Sequence, residues 1–272
     1  MAKKKIGLAL GGGAARGLAH IGVLEILKKE RIPIDYIAGT SSGAVIGALY
    51  AAGVSPVVVK EYVLSFDSSK RRRLIDLSLP KSGFIQGEKI IEEMKTLMGG
   101  DKTFAELNTP FACVACDIMR GEEVVLKHGS VCAAVHASIA IPVVFNAVKI
   151  GGRYLVDGGL VNEVPVRVTR QIGAEYVIAV NVIPRQVRRS KRKERETEDP
   201  GPPGIMTVMM NTVDIASICR AESSITGADM VIEPQTYGFT ATDFAEAGAL
   251  ILQGEMAAID AVLHIKRHMA YW

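Results

Sequence analysis

Short apolar runs alternate with amphipathic stretches along the first part of the chain. Ile6–Leu10 is a continuous apolar run of strand length, and the glycine-rich segment Gly11-Gly12-Gly13-Ala14-Ala15-Arg16-Gly17 follows it. Over 18–30 apolar residues recur at helical spacing. Ile21, Leu24, Ile26 and Leu27 share one face, and Lys28 and Lys29 sit near the C-terminal end, where cations suit the helix dipole. Pro33 marks a turn and Tyr36-Ile37-Ala38 a second buried strand; residues 44–52 form an apolar helix of mostly small residues. Strand, loop, helix, strand, sharp turn, helix is the alternation that builds a parallel sheet covered on both faces.

The pattern continues with a helix from Ser55-Pro56 to about 66, a turn over 83–87 and a helix over 88–98. A helical turn over 103–107 precedes a strand over 111–117. Gly121 turns the chain into an antiparallel partner over 122–127. Residues 131–138 read as a helix, Gly151-Gly152 as a hairpin turn, and Tyr154-Leu155-Val156-Asp157 as a strand that ends on an acid before Gly158-Gly159. A buried strand over 174–182, a helix over 205–223, a short strand over 230–234 and a long amphipathic helix over 241–268 complete the set. Composition changes sharply over 185–203, where seven basic residues are followed by acids and Pro-Gly-Pro-Pro. That segment is expected to be a mobile, exposed insertion. With no internal repeat and no second boundary, the expectation is a single α/β domain over 1–272, its mostly parallel central sheet flanked by helices on both faces.

Composition narrows the field. Of 272 residues 49% are hydrophobic and 22% charged, which is ordinary for a globular protein, and the net charge is only +3. Nucleic acid is not expected as a partner, because aromatics are 6% and no basic stretch is interleaved with them. Four cysteines make no disulfide scaffold in a chain of this length. Cys113 and Cys116 lie three apart on a predicted strand and so point to opposite faces, unlike a redox pair at a helix N-terminus. Two buried thiols in a reducing cytoplasm are expected. Neither the lysine-led N-terminus nor residues 131–148 make a membrane helix. The first runs into glycines, and the second is short and broken by His136, Ser138, Pro142 and Asn146. The basic run Lys70-Arg71-Arg72-Arg73 and the 185–203 segment are mainly solvated surface; a minority reading gives them peripheral contact with the inner membrane surface.

Candidate chemistry concentrates at two turns. Gly39-Thr40-Ser41-Ser42-Gly43 stands between a strand and a helix, the G-x-S-x-G arrangement of a nucleophile elbow. Gly39 and Gly43 lack the Cβ atoms that would collide across so sharp a turn. The first glycine loop has three competing uses. A Walker A loop requires Lys after the last glycine, and Leu18 stands there; a Rossmann fingerprint requires a third glycine where Arg16 stands, and an acid after the second strand. The remaining use is an oxyanion hole of converging backbone N–H groups. A serine also needs a base. None of His20, His128, His136, His264 and His268 lies in an evident loop at a strand end, whereas Asp157 does. A dyad of Ser41 and Asp157 is chemically feasible if burial raises the acid above its usual value near 4.

The first glycine loop, the elbow, Ala137-Ser138-Ile139-Ala140-Ile141-Pro142 and Asp157-Gly158-Gly159-Leu160-Val161-Asn162 stand in order and at the spacing of one family. Together they resemble the patatin-like phospholipases, specifically the bacterial branch, over about 6–182 and more weakly over 228–257. The resemblance implies a patatin-like three-layer α/β sandwich. It implies Ser41 and Asp157 as a catalytic dyad with no cofactor or metal, and backbone donors at Gly12, Gly13 and Ala14 for the oxyanion. Arg16, Gly17, Gly39, Gly43, Gly158 and Gly159 would support loop and elbow. The family carries glycine where this chain has Ala14. Arg16 either anchors the loop through a salt bridge or biases the site toward anionic substrates, the structural role being preferred. The expected activity is a serine esterase acting on lipid or other acyl esters, of phospholipase or lysophospholipase type. Acyl transfer through the same acyl-serine and non-catalytic lipid binding are the alternatives.

Overall fold

A computed structural model describes residues 4–66, 86–142, 144–184 and 203–270. The basic run 70–73, most of the turn expected over 83–87 and residues 185–202 of the basic segment lie outside the described residues, so the surface contacts expected of those segments do too.

In chain order the elements are β1 (Ile6–Leu10), α1 (Ala19–Lys29), β2 (Tyr36–Thr40), α2 (Ser42–Ala51), α3 (Pro56–Ser65), α4 (Gln86–Met98), β3 (Phe111–Asp117), β4 (Glu122–Leu126), α5 (Val131–Ser138), β5 (Val148–Ile150) and β6 (Arg153–Asp157). After them come α6 (Val166–Gln171), β7 (Tyr176–Val180), α7 (Ile205–Ser224), β8 (Met230–Ile232) and α8 (Ala247–Ala270). The strands form one sheet in the order β5-β6-β3-β2-β1-β7-β8, with β4 also paired to β3. From β3 through β2, β1 and β7 to β8 the strands run parallel; β4, β5 and β6 are antiparallel to their neighbours. The expected mostly parallel α/β sheet is what forms.

The two faces of the sheet differ in thickness, and the reason is in the strands. Ile6, Leu8 and Leu10 alternate with Gly7 and Ala9, so β1 turns its large residues to one side and its small ones to the other. The large side packs into the main core with Ile37, Cys113, Ile178 and the helices α1, α2, α4, α5 and α8. On the small side Ala9, Val177 and Ala179 meet Val164 and Val166, and Ala38, Ala112 and Val114 meet Val168, so α6 lies close against the sheet.

One feature of register positions the site. Along one edge of β3, residues 111–114 pair with β2, as Val114 with Thr40. The next residue on that edge, Ala115, pairs with Asp157 of β6. The opposite edge of β3 is taken by β4 over 113–117. Since β2 runs parallel to β3 and β6 antiparallel, the two strands approach end to end and their C-terminal residues meet.

The long C-terminal helix starts later than its apolar pattern predicts. Thr240 donates its N–H to the Asp243 carboxylate at 2.7 Å, and Ala241 gives its carbonyl to Ala15 N–H at 3.0 Å. These bonds hold 240–243 as a turn, a short 3-10 turn follows over Phe244–Glu246, and α8 begins at Ala247. The stretch Phe244–Ala270 is long and apolar enough to cross a membrane by length and composition; 39% of its most apolar window is buried. Along α8, Ile251, Ala258, Val262 and Ile265 are buried in the main core.

Candidate functional site

Ser41 follows the last residue of β2 and occupies the N-cap position of α2, with φ 53 and ψ −122. A non-glycine residue in that region carries backbone strain on the order of 1–3 kcal/mol, which only the surroundings can hold. They do so from several directions. Ser41 N–H donates to Ser138 Oγ at 2.9 Å, and the Ser41 carbonyl accepts from Ala44 and Val45 N–H. A Cβ on Gly39 would lie 2.6 Å from the Ala44 Cα, and one on Gly43 would overlap the Leu10 and Gly11 carbonyls. Gly43 therefore serves the contact of α2 with the end of β1 rather than a contact across the elbow. Gly17 likewise leaves room for the Ser42 side chain.

The Ser41 hydroxyl does not cap its helix. Ser130, at the start of α5, accepts Ala133 N–H in the ordinary capping geometry, whereas Ser41 donates to Asp157 Oδ2 at 2.6 Å. Asp157 is held in turn: its N–H donates to the Ala140 carbonyl at 2.9 Å, and its Oδ1 accepts from Gly159 N–H at 2.8 Å. Gly158 lies against Val114, with no room for a side chain. Both groups are buried, Ser41 at 6% and Asp157 at 7% exposure. Burial pushes the Asp157 carboxyl up to about 6, although the bonds from Ser41 and Gly159 pull the other way. The carboxylate thus remains ionised at neutral pH yet is a better base than a surface aspartate.

Ser138 has a position that the sequence did not assign. Its hydroxyl donates to the Val114 carbonyl at 2.6 Å while accepting Ser41 N–H. Val114 lies beside the junction of β2 and β6, so this one hydroxyl ties the elbow to that junction. The Ala137–Pro142 motif carries the signal, because the residue lies within it.

The glycine loop departs from expectation at one donor. Gly12 N–H already donates to the Glu163 carbonyl at 3.0 Å, and Gly11 N–H to Val180. Gly12 is therefore corrected from oxyanion donor to close-packed spacer: a Cβ there would meet the Glu163 carboxyl and come within 3.3 Å of Ser41 Cβ. Gly13 and Ala14 N–H have no hydrogen-bond partner among the described residues. Gly13 has φ 151 and Ala14 φ 51, so the alanine is accommodated in the left-handed region. Arg16 is 5% exposed, donating from Nε to the Phe239 carbonyl at 3.0 Å and pairing with Asp214 at 3.1 Å. These contacts tie the loop to the segments that carry Phe239 and Asp214.

Histidine is absent from the constellation. His20 is fully buried with Nε2 2.7 Å from the Gly11 carbonyl; a carbonyl only accepts, so the ring is protonated there. Burial lowers its pKa to about 4, leaving a neutral brace for the loop. His268 contacts the Tyr176 hydroxyl at 2.8 Å. No histidine bonds Ser41 or Asp157 among the described residues. Cys113 and Cys116 are buried free thiols. Among the described residues no group of three or more His, Cys, Asp or Glu is arranged to hold a metal.

An apolar cavity of about 190 Å³ opens beside the dyad. Ala14, Ser41 and Ser42 line one part, and Val63, Met94, Leu97 and Phe244 are among the residues lining the rest. Away from Ser41 and Ser42 its polar lining residues are Tyr62 and Glu93; the Tyr62 hydroxyl bonds Glu93, and its pKa is pushed up to about 12 by burial and by that carboxylate.

Known proteins resemble this chain in sequence and in fold. The chain is 36% identical over 178 residues to an uncharacterized NTE family protein of Mycobacterium tuberculosis, a match covering 65% of this chain and 49% of that protein. The chain thus spans about half the length of that relative. It is 38% identical over 182 residues to a patatin-like phospholipase domain-containing protein of Caenorhabditis elegans, covering 65% of this chain and 13% of that one. Among solved structures, the type III effector protein ExoU superposes with a TM-score of 0.51 at 14% identity, over 97% of this chain and 53% of that chain, a likeness of fold. The family model described as patatin-like phospholipase matches residues 8–170, and the chain belongs to that family.

Proposed function

We propose that the chain is a serine hydrolase of lipid acyl esters, working through Ser41 and Asp157. The observation that carries the reading is a 2.6 Å hydrogen bond between a strained serine and a buried carboxylate, at the edge of an almost wholly apolar cavity. An acyl chain in that cavity would leave its ester carbonyl beside Ser41. Asp157 takes the hydroxyl proton as Ser41 Oγ attacks the carbonyl carbon. The resulting oxyanion accepts from Gly13 and Ala14 N–H, two donors without other partners among the described residues. Collapse breaks the ester C–O bond, and the leaving alcohol receives the proton from Asp157. Water then gives a proton to Asp157 and attacks the acyl-serine; release of the fatty acid returns the proton to Ser41. Further support comes from the match to the patatin-like phospholipase model and from 31% identity over 185 residues to the lysophospholipase NTE1 of Debaryomyces hansenii.

Hydrolysis of p-nitrophenyl acyl esters tests the reading. Wild-type protein is expected to turn them over and Ser41→Ala to fall to background. Wild-type turnover by Ser41→Ala would remove Ser41 from the role.

A further inference from the structure

A second carboxylate sits beside the dyad and has no part in the mechanism above. Glu163 is 2% exposed. Its side chain fills the space left by two missing Cβ atoms. Oε1 occupies the place of a Cβ on Gly12, and Oε2 lies 2.8 Å from where one on Gly159 would be. That same point above Gly159 is 3.2 Å from Asp157 Oδ1, and the point above Gly12 is 3.3 Å from Ser41 Cβ. One carboxyl therefore touches both the glycine loop and the turn that holds the base. Oε2 has no hydrogen-bond partner among the described residues.

The charges around it come from two elements. Asp157, at the end of β6, opposes its ionisation. From α7, Asp214 also opposes it, while Arg220 and the Ser217 hydroxyl favour it. Asp214 is already paired with Arg16, and Arg220 Nε donates to the Gly159 carbonyl at 2.9 Å. Burial outweighs the favourable contacts and pushes the Glu163 carboxyl up to about 8, with Asp157 the second cause. Of the two carboxyls, Glu163 is the one pushed further up, so it holds a proton more tightly than Asp157 does.

Resting on the Ser41–Asp157 reading, we propose that Glu163 is a positioning residue that must keep its proton for the site to turn over. Neutral, it fills the gap between the glycine loop and the Asp157 turn. Ionised, it sets a second negative charge against the oxyanion that forms next to that loop, in a site too dry to screen it. The alkaline limb of the rate profile then belongs to Glu163 and the acid limb to Asp157.

The test is kcat/KM for a p-nitrophenyl acyl ester from pH 5 to 9.5, with spontaneous hydrolysis subtracted, for wild type, Ser41→Ala, Glu163→Gln and Ser217→Ala. In wild type the rate at pH 9 is expected to be about tenfold below that at pH 7, as one ionisation near 8 requires. In Glu163→Gln the ratio of those two rates rises to about one, because the amide cannot ionise. Ser217→Ala, a milder change, removes a hydroxyl that favours the anion and so moves the alkaline limb to higher pH. An alkaline limb unchanged in either variant overturns the inference while leaving the dyad intact. Equal rates in wild type and Ser41→Ala overturn the dyad, and the inference with it.

Discussion

The two sides of Ser41 are built from opposite materials. On one side lies the cavity, walled by Val45, Val63, Met94, Leu97 and Phe244 from α2, α3, α4 and the turn before α8. On the other lies a cluster of buried polar groups: Asp157, Glu163, Arg16 and, half-buried on α7, Asp214 and Arg220. The apolar wall can hold a chain only by area and shape, which discriminates weakly between similar ligands. The polar cluster holds charge in a dry place, where each group changes the proton affinity of its neighbours. On the proposed reading the labour divides: the first side would select the acyl group and the second supply the base. The serine stands at their boundary because β2 and β6 meet end to end on one edge of β3.

Removing the reacting atoms breaks the polar side outright. Ser41→Ala and Asp157→Asn are each expected to lower kcat by about 10³-fold or more, as for other paired nucleophile and base groups. Equal loss in the double variant would show that they act as one unit. In wild type, kcat/KM falls as pH drops through about 6, where Asp157 takes up a proton and ceases to be a base.

The apolar side is sharpened by a size change. Val63→Trp should cut kcat/KM for a long-chain ester by about 10–100-fold, on the scale of a few methylene groups excluded from an apolar pocket, and leave an acetyl ester close to wild type. Equal losses for both esters would separate the cavity from acyl recognition. A smaller effect comes from the clamp. Ser138→Ala removes the acceptor of Ser41 N–H and a donor to Val114, at a cost of about 1–3 kcal/mol in stability, readable by urea denaturation, with about tenfold lower kcat.

The smallest effects are gains in stability. Ser41→Gly relieves the positive φ and is expected to stabilise by about 1 kcal/mol while abolishing turnover. Asp157 gives a related result with a defined sign. Its carboxyl binds a proton more tightly folded than unfolded, since its pKa rises from 3.8 to about 6. Stability attached to it is therefore full below about 4 and declines as pH rises through 6, by about 3 kcal/mol in all. Asp157→Asn lacks that penalty, so at pH 7 its melting temperature should not fall below that of wild type.

What the sequence disclosed of this arrangement is what short-range sterics dictate. Gly39 announces a sharp turn, Gly11–Gly13 a loop of exposed backbone, and Asp157-Gly158-Gly159 an acid at a strand end, because each needs only its neighbours to be read; the contact of Gly43 with the end of β1 does not. The alternation of apolar runs with amphipathic stretches likewise points to a sheet covered on both faces. What stayed hidden depends on pairing across the chain. That β6 continues the edge that β2 leaves is a register fact between residues more than a hundred positions apart. The engagement of Gly12 N–H is equally remote in origin, because its carbonyl partner belongs to Glu163. Glu163 itself stood unremarked one place beyond the Asp157–Asn162 motif, since a glutamate after a turn is ordinarily solvated. The late start of α8 hides behind Thr240 and Asp243, whose side chains compete with helix formation.

The central claim is that Ser41 is activated by Asp157 in the absence of histidine, and covalent labelling tests it without assuming a substrate. Wild-type protein and Asp157→Asn would be treated with a fluorophosphonate, the adduct located by peptide mass spectrometry, and the rate of modification followed from pH 5 to 7.5. The account predicts phosphonylation of Ser41 at a rate that rises through about pH 6 in wild type and is about 100-fold slower in Asp157→Asn. An adduct at another residue, or labelling of Ser41 at the same rate in both proteins, would contradict it.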